Sequence, residues 1–208
     1  MMHVYIIDDD PEVQRSLAFM LLSDGIGSTL FGSAEEFLEH LPHLGPGCLL
    51  LDLRLPGISG LDLQARLHKA GCNLPVIVMT GHGEVSSAVR AMKEGAIDFL
   101  EKPFAKSDLM AALKAAKREW NQPSVSPEVR LKAEEQIAQL SNREREVLQG
   151  LVNGHLNKQI AYQLDISPRT VEVHRANAMK KLGVHSLSEM LNIAFLAGHN
   201  RPLVNAGR

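Results

Sequence analysis

Only two cysteines, Cys48 and Cys72, occur in the 208 residues, and neither has neighbours at metal-ligand or redox spacing. That excludes a disulfide framework and a thiolate metal site, and leaves two small apolar residues in a reducing compartment. Aromatic residues make up only 4% of the chain, so any core is expected to be aliphatic. No window approaches the roughly eighteen apolar residues that a membrane helix needs. The first twenty residues lack the basic start and unbroken apolar centre of a secretion signal, because Asp8, Asp9 and Asp10 interrupt them. There is no internal repeat and no low-complexity tract. The expectation is a cytoplasmic protein with no membrane association.

What is present is unevenly distributed. Residues 1–121 carry 11 Lys/Arg against 16 Asp/Glu, whereas residues 122–208 carry 11 against 8. An acidic part joined to a basic part suggests a separate partner for each, nucleic acid being the natural one for the second. The hydropathy pattern divides at the same place. Short apolar runs at 3–7, 28–31, 47–52, 75–79 and 96–100 alternate with amphipathic segments at 11–23, 33–41, 59–70, 84–94 and 106–120. Five such strand–helix units predict a parallel sheet covered on both faces. Asp10-Pro11 and Ser33 are helix starts, and Gly25, Gly71 and Gly95 stand where helices stop. "NQPSVSPE" (121–128) reads as a linker. A charged helix follows at 128–140. Four helical patterns without strands then lie at 141–152, 156–163, 168–182 and 186–197. The expected division is 1–121, a partly helical linker over 122–138, and 139–208.

Ligands of parallel α/β sheets sit at the carboxyl ends of the strands. The residues there are Asp8, Asp9 and Asp10 after the first strand, Asp52 at the end of the third, Thr80 after the fourth and Lys102 beyond the fifth. Two of the first three acids with Asp52 can hold magnesium, which prefers carboxylate and carbonyl oxygens and relieves their repulsion. A carboxylate can also attack phosphorus, and Asp52, a lone acid ending a central strand, is the candidate nucleophile. Lys102 and Thr80 would then supply a positive charge and a hydroxyl to the phosphoryl oxygens. Asp10 reads as a helix cap, and His82 in "TGHG" as an exposed loop residue.

In the basic part, "LDISP" precedes the helical pattern 168–182. At 100° per residue, Val171, His174, Ala178 and Leu182 share a core face, with Arg175 and Lys181 at its sides. Arg169, Val173, Ala176 and Lys180 lie opposite, flanked by Thr170, Glu172 and Asn177. Small apolar side chains among cations suit thymine methyls in a major groove, with the cations on phosphates. "NKQIAYQL" (157–164) makes the preceding helix of a helix-turn-helix, with Lys158 in reach of backbone phosphate. Glu172 either accepts from cytosine N4 or pairs with Arg169 or Arg175.

The segments "IIDDD", "LLLDLRLPGISG", "VIVMTGHG" and "GAIDFLEKPF" resemble a two-component receiver domain. "LSNREREVLQGLVNGHLNKQIAYQLDISPRTVEVHRANAMKKLGVHS" resembles a LuxR-type four-helix DNA-binding domain. Together the two parts are similar to response regulators of the NarL/FixJ class. The resemblance implies a five-stranded sheet in the order 2-1-3-4-5, joined to an all-α helix-turn-helix domain. It implies phosphorylation of Asp52 by a partner histidine kinase, and magnesium held by Asp9, Asp52 and the main-chain carbonyl of Arg54 with help from Asp8. Thr80 and Lys102 would contact the phosphoryl group, Lys102-Pro103 would be cis, and Phe99 would occupy the aromatic switch position. Promoter DNA, RNA polymerase and a second phosphorylated copy are the implied further partners, and activation of nitrogen-fixation or oxygen-responsive genes the implied outcome.

Two other readings stand beside this one. Asp8-x-Asp10 after a first strand also suits an Asp-based, magnesium-dependent phosphohydrolase, and a DNA-binding regulator can work without phosphate.

Overall fold

A computed structural model describes residues 3–81, 85–121 and 127–199, which form two compact units, one built on a sheet and one of helices alone. His82, expected as an exposed loop residue, lies outside the described residues, as do residues 122–126 of the expected linker.

Along residues 3–121 the chain alternates β1 (His3–Ile7), α1 (Pro11–Leu22), β2 (Ser28–Phe31), α2 (Ala34–His40), β3 (Gly47–Asp52), α3 (Gly60–Lys69), β4 (Val76–Thr80), α4 (Val85–Lys93), β5 (Asp98–Glu101) and α5 (Lys106–Asn121). All neighbouring strands are parallel, in the order β2-β1-β3-β4-β5, as expected. β5 begins two residues later than the apolar pattern suggests. Its pairing with β4 starts at Ile77↔Asp98, leaving Ala96 and Ile97 as the approach to the strand. A 3-10 turn at Leu41–His43, which the sequence pattern did not signal, closes α2.

Alternation along the strands sorts the core. Val4, Ile6, Cys48, Leu50, Ile77, Met79 and Leu100 meet Leu17 and Leu21 of α1 and Leu109, Ala112, Leu113 and Ala116 of α5. Cys48 belongs to this dry layer, where burial pushes its thiol up to about 12, so it is an apolar filler without nucleophilic character. On the other face, Tyr5 and Phe31 meet Phe37 of α2, with Phe31 and Phe37 edge to face at 5.3 Å. β3 is buried along its whole length, because it lies between β1 and β4 and is covered on both sides.

Helix ends follow the residue chemistry. Asp10 caps α1 by accepting from the Glu12 N–H at 2.8 Å, with Pro11 in the first turn. Ser33 caps α2 in the same manner. Gly25, Gly71 and Gly95 all have φ between 68° and 96°, the left-handed conformation that ends a helix.

The helical unit contains α6 (Pro127–Ala138), α7 (Asn142–Val152), α8 (Asn157–Leu164), α9 (Pro168–Leu182) and α10 (Leu187–Leu196). Ala133 and Ile137 of α6 are buried, and α6 packs on α10 and α9. Asp165 adopts φ 53° between α8 and α9, so a short polar residue makes the tight turn of a helix-turn-helix.

Gly60 is the tightest point of the sheet unit. A Cβ there would lie 2.2 Å from the Asp52 carbonyl oxygen and 2.8 Å from Leu53 Cα, both backbone atoms that cannot move aside. Gly60→Ala is expected to destabilise the protein by about 1–3 kcal/mol, the range for overpacking. Urea unfolding checks this, with a lower midpoint at unchanged slope; an unmoved midpoint would contradict the tight approach.

Candidate functional site

Strand register brings the candidate acids together. Ile7 pairs with both Phe31 and Leu51, so Asp8 stands level with Asp52. Asp52 pairs with Met79, and Thr80 with Glu101, so Thr80 and Lys102 follow at the next two strand ends. Main-chain bonds outside the sheet fix these ends: Asp8 N–H to Phe31, Leu53 N–H to Met79 and Lys102 N–H to Thr80, at 2.8–3.2 Å. Gln14 of α1 donates its amide to the carbonyls of Asp8 and Phe31 at 2.7 and 2.9 Å, tying the helix to both strand ends.

Lys102 Nζ lies 2.7 Å from Asp8 Oδ2 and 2.7 Å from Asp52 Oδ2. Asp8 is 1% exposed and Asp52 7%. Asp8 Oδ1 accepts from the Asp10 N–H at 2.9 Å, and Asp52 Oδ1 from the Arg54 N–H at 3.1 Å. Burial raises the Asp8 pKa above its ordinary value, and the hydrogen bonds from Lys102 and Asp10 only partly oppose that. Burial also works to lower the Lys102 pKa, but its bonds to Asp52 and then Asp8 outweigh this and raise it. The lysine is therefore firmly charged, while Asp8 holds a proton more readily than an ordinary carboxylate.

Asp9 is exposed, yet one carboxylate oxygen each from Asp8, Asp9 and Asp52 lie within 4.8 Å of one another. Three hard oxygen donors at this spacing fit a magnesium-type ion, and the donor set holds no soft ligand. Asp10 points outward as a cap and is outside this cluster. Thr80 is buried, its hydroxyl donating to the Gly81 carbonyl at 3.0 Å. The Lys102-Pro103 bond is cis, and Phe99 is half-buried.

On α9, Val171, Ala178 and Leu182 are buried, while His174 is only half-buried, a correction to its expected place in the core. Arg169, Glu172, Val173, Ala176, Asn177 and Lys180 are exposed together, and Arg175 is half-buried. Thr170 is half-buried, its hydroxyl 2.8 Å from Ser167 Oγ at the helix cap. Glu172 accepts from Arg169 Nη1 at 3.0 Å, which selects the Arg169 pairing among the alternatives for this acid in the free protein. Lys158 is exposed on α8 beside Tyr162, which is 90% exposed. Lys158 and Tyr162, with His155, Gln159 and Gln163, line one shallow groove.

The sequence pattern gave no weight to Glu144. It is nearly fully buried, caps α7 by accepting from the Ser141 N–H at 2.7 Å, and holds Lys181 of α9 at 2.7 Å. Ser-x-x-Glu at 141–144 is a capping-box signal, but its pairing with a residue 37 positions on is visible only in the folded chain. Gln136 of α6 adds a bond to the Leu182 carbonyl at 3.2 Å, so two side chains anchor the end of α9.

Comparison with known proteins covers both units. The response regulator receiver domain matches residues 4–114, and the luxR family of bacterial regulatory proteins matches residues 138–194. The transcriptional regulatory protein FixJ of Azorhizobium caulinodans is 50% identical, over 94% of this chain and 92% of that protein. FixJ of Bradyrhizobium diazoefficiens is 47% identical over 94% and 96%. The response regulator protein TodT of Pseudomonas putida is 42% identical over 91% and 84%. The crystal structure of full-length FixJ from B. japonicum aligns with a TM-score of 0.57 at 47% identity, covering 95% of this chain and 97% of that one.

The tie between Glu144 and Lys181 has a pH signature. Burial opposes the charge of Glu144, but Lys181 and the Ser141 bonds prevail and hold its carboxyl below the usual 4.5. A depressed folded pKa gives stability that is present above the unfolded value and lost as pH falls through the folded one. Glu144→Gln is expected to cost about 1–2 kcal/mol near pH 7, the scale of a charge-assisted bond with one partly exposed end. The gap between the variant and the native chain should narrow as the pH falls below the usual carboxylate value of 4.5. Urea unfolding from pH 7 to 3 checks it; a gap that persists at acid pH would contradict the ionic role.

Proposed function

The chain belongs to the response regulators that join a receiver domain to a LuxR-type DNA-binding domain, and we propose that Asp52 is the phosphoacceptor through which it is controlled. It is a two-component regulator of transcription, with a sensor kinase and DNA as the partners its two domains imply. The observation that carries the reading is the bridge from one ammonium to Asp8 and Asp52 beside a third carboxylate. Its parts are residues 1–121 as receiver, 122–138 as a partly helical linker and 139–208 as the DNA-binding domain, acting in the cytoplasm.

An Asp52 carboxylate oxygen attacks the phosphorus of a phosphohistidine on the kinase. An O–P bond forms, the P–N bond breaks, and the histidine leaves as the neutral ring after taking a proton. Asp9, Asp52 and the Arg54 carbonyl, with Asp8 in support, would hold magnesium, which when bound would screen the charge of the phosphoryl oxygens. Lys102 is already at Asp52 and passes one of its bonds to a phosphoryl oxygen. Thr80 exchanges its Gly81 carbonyl for another phosphoryl oxygen, and the half-buried Phe99 ring follows the space that the hydroxyl leaves. Phosphorylation selects one of two receiver states. The active state favours a dimer that sets two α9 helices in adjacent major grooves. There Arg169, Arg175 and Lys180 hold phosphates with Lys158, while Val173, Ala176, Asn177 and Glu172 face base edges and Thr170 shapes the helix start. Promoter-bound dimers then engage RNA polymerase to activate transcription.

Labelled acetyl phosphate should mark the protein once per chain in a magnesium-dependent reaction, and Asp52→Asn should abolish the label. Turnover of a phosphate ester that depends on Asp8 and survives Asp52→Asn would support a phosphohydrolase instead. For the DNA face, Arg169→Ala and Lys180→Ala should each weaken binding and reduce the salt slope by about 1. An unchanged slope in both would remove α9 from the phosphate contacts. Equal DNA affinity for residues 139–208 and the unphosphorylated chain would show that the receiver acts by dimerisation and not by inhibition.

A further inference from the structure

The segment that follows Asp52 is held from outside the acidic pocket. Glu35 stands in the first turn of α2, and its Oε1 accepts from the Ile58 N–H at 2.9 Å. Gly57 next to it has φ 75°, and a Cβ there would meet Glu35 Oε1 at 2.5 Å. The carboxylate thus fills the space that a side chain at position 57 would need. Its charge is favoured in place: the Ile58 N–H, then its own N–H, with Ser33 and the positive charge of Arg66 on α3 adding, hold it below the ordinary range despite some desolvation. The same segment is pinned at its two ends by the Arg54 N–H on Asp52 Oδ1 and by the Gly60 N–H on the Leu53 carbonyl, both at 3.1 Å. Between those ends, Glu35 holds the backbone through its side chain from another helix, and it reaches across 23 positions of sequence.

We propose that Glu35 is a positioning residue of the phosphoacceptor pocket: by gripping the Gly57–Ile58 turn it fixes the path of the backbone from Arg54 onward and so sets the pocket's affinity for magnesium. This rests on the function proposed above, in which the Arg54 carbonyl is a metal ligand. Residues 53–59 join two fixed points, and a hold at Ile58 shortens the free span and so limits how far the Arg54 carbonyl can swing away from the acids. Neighbours that orient metal ligands without touching the metal commonly govern affinity by about tenfold or more.

The test uses the full chain with Glu35→Ala and Glu35→Gln. Glu35 is exposed on its helix, so neither change disturbs the core. Without metal, Glu35→Ala should speed amide hydrogen exchange at Ile58 by about tenfold, the scale of one lost hydrogen bond. Magnesium titration should show affinity about tenfold weaker. Labelling by acetyl phosphate should fall at limiting magnesium and recover in excess, since the nucleophile is untouched. Glu35→Gln keeps an acceptor oxygen and should fall between the native chain and Glu35→Ala in all three readouts. Faster exchange at Ile58 with native magnesium affinity would overturn the positioning role, and so would unchanged exchange. A native protein that neither binds magnesium nor takes the label would overturn this proposal together with the phosphate reading, whereas a normal native chain with a silent Glu35→Ala overturns the positioning role alone.

Discussion

One ammonium group, that of Lys102, lies 2.7 Å from each of two carboxylates that are almost closed off from water. Like charges that close would repel strongly in so dry a place, and a shared cation offsets that repulsion. Asp8 has one main-chain N–H and Asp52 another; the lysine supplies the rest. The constraint spreads outward. Lys102 must stand opposite β1 and β3 at once, which fixes the turn after β5, and its own N–H is tied to Thr80 of β4. Four strand ends are thereby tuned to a single cation. Anything that draws Lys102 toward a new anion loosens the whole group, which is what a phosphate switch requires.

The helical unit solves a different problem with similar means. Helix α9 shows cations and small apolar groups to the outside, and so has only a narrow buried stripe of Val171, Ala178 and Leu182. Apolar packing alone leaves the end of such a helix weakly held. Glu144 and Gln136 make up the difference, one holding the Lys181 ammonium and the other the Leu182 carbonyl. Lys181 is thereby engaged on the protein side of the helix, while Arg169 and Lys180 remain on the outward face. Arg169 itself is paired to Glu172 across one helical turn, an exposed contact of little strength in water.

Much of this was legible in the linear chain. The alternation of apolar runs with amphipathic segments gives the order of elements, because side-chain period and chain connectivity are local properties. The strand-end acids, Thr80 and Lys102 were legible for the same reason: each directly follows a run whose direction is known. Asp10 as a cap could be separated from Asp8 and Asp9 through Pro11, which marks the first turn of α1. Boundaries were less secure where packing overrides pattern. Ala96 and Ile97 look like strand, yet pairing with β4 begins only at Asp98. His174 falls on the apolar stripe by angle, yet the residue is only half-buried, unlike Val171, Ala178 and Leu182.

The sequence by itself determined the two-part architecture, the parallel sheet, the turn between α8 and α9, and which residue types gather at the strand ends. Those follow from periodicity, chain direction and the backbone limits of Gly, Pro and Asp, all set by near neighbours. Only the tertiary structure decided who holds whom. The bridging of Asp8 and Asp52 by one lysine, the grip of Glu35 on Ile58 and the tie of Glu144 to Lys181 join residues 94 and 50, 23 and 37 positions apart. Hydrogen bonds depend on a few tenths of an ångström and on direction, and no pattern of types along a chain carries that. It appears when strand register and helix packing bring the partners to within 3 Å.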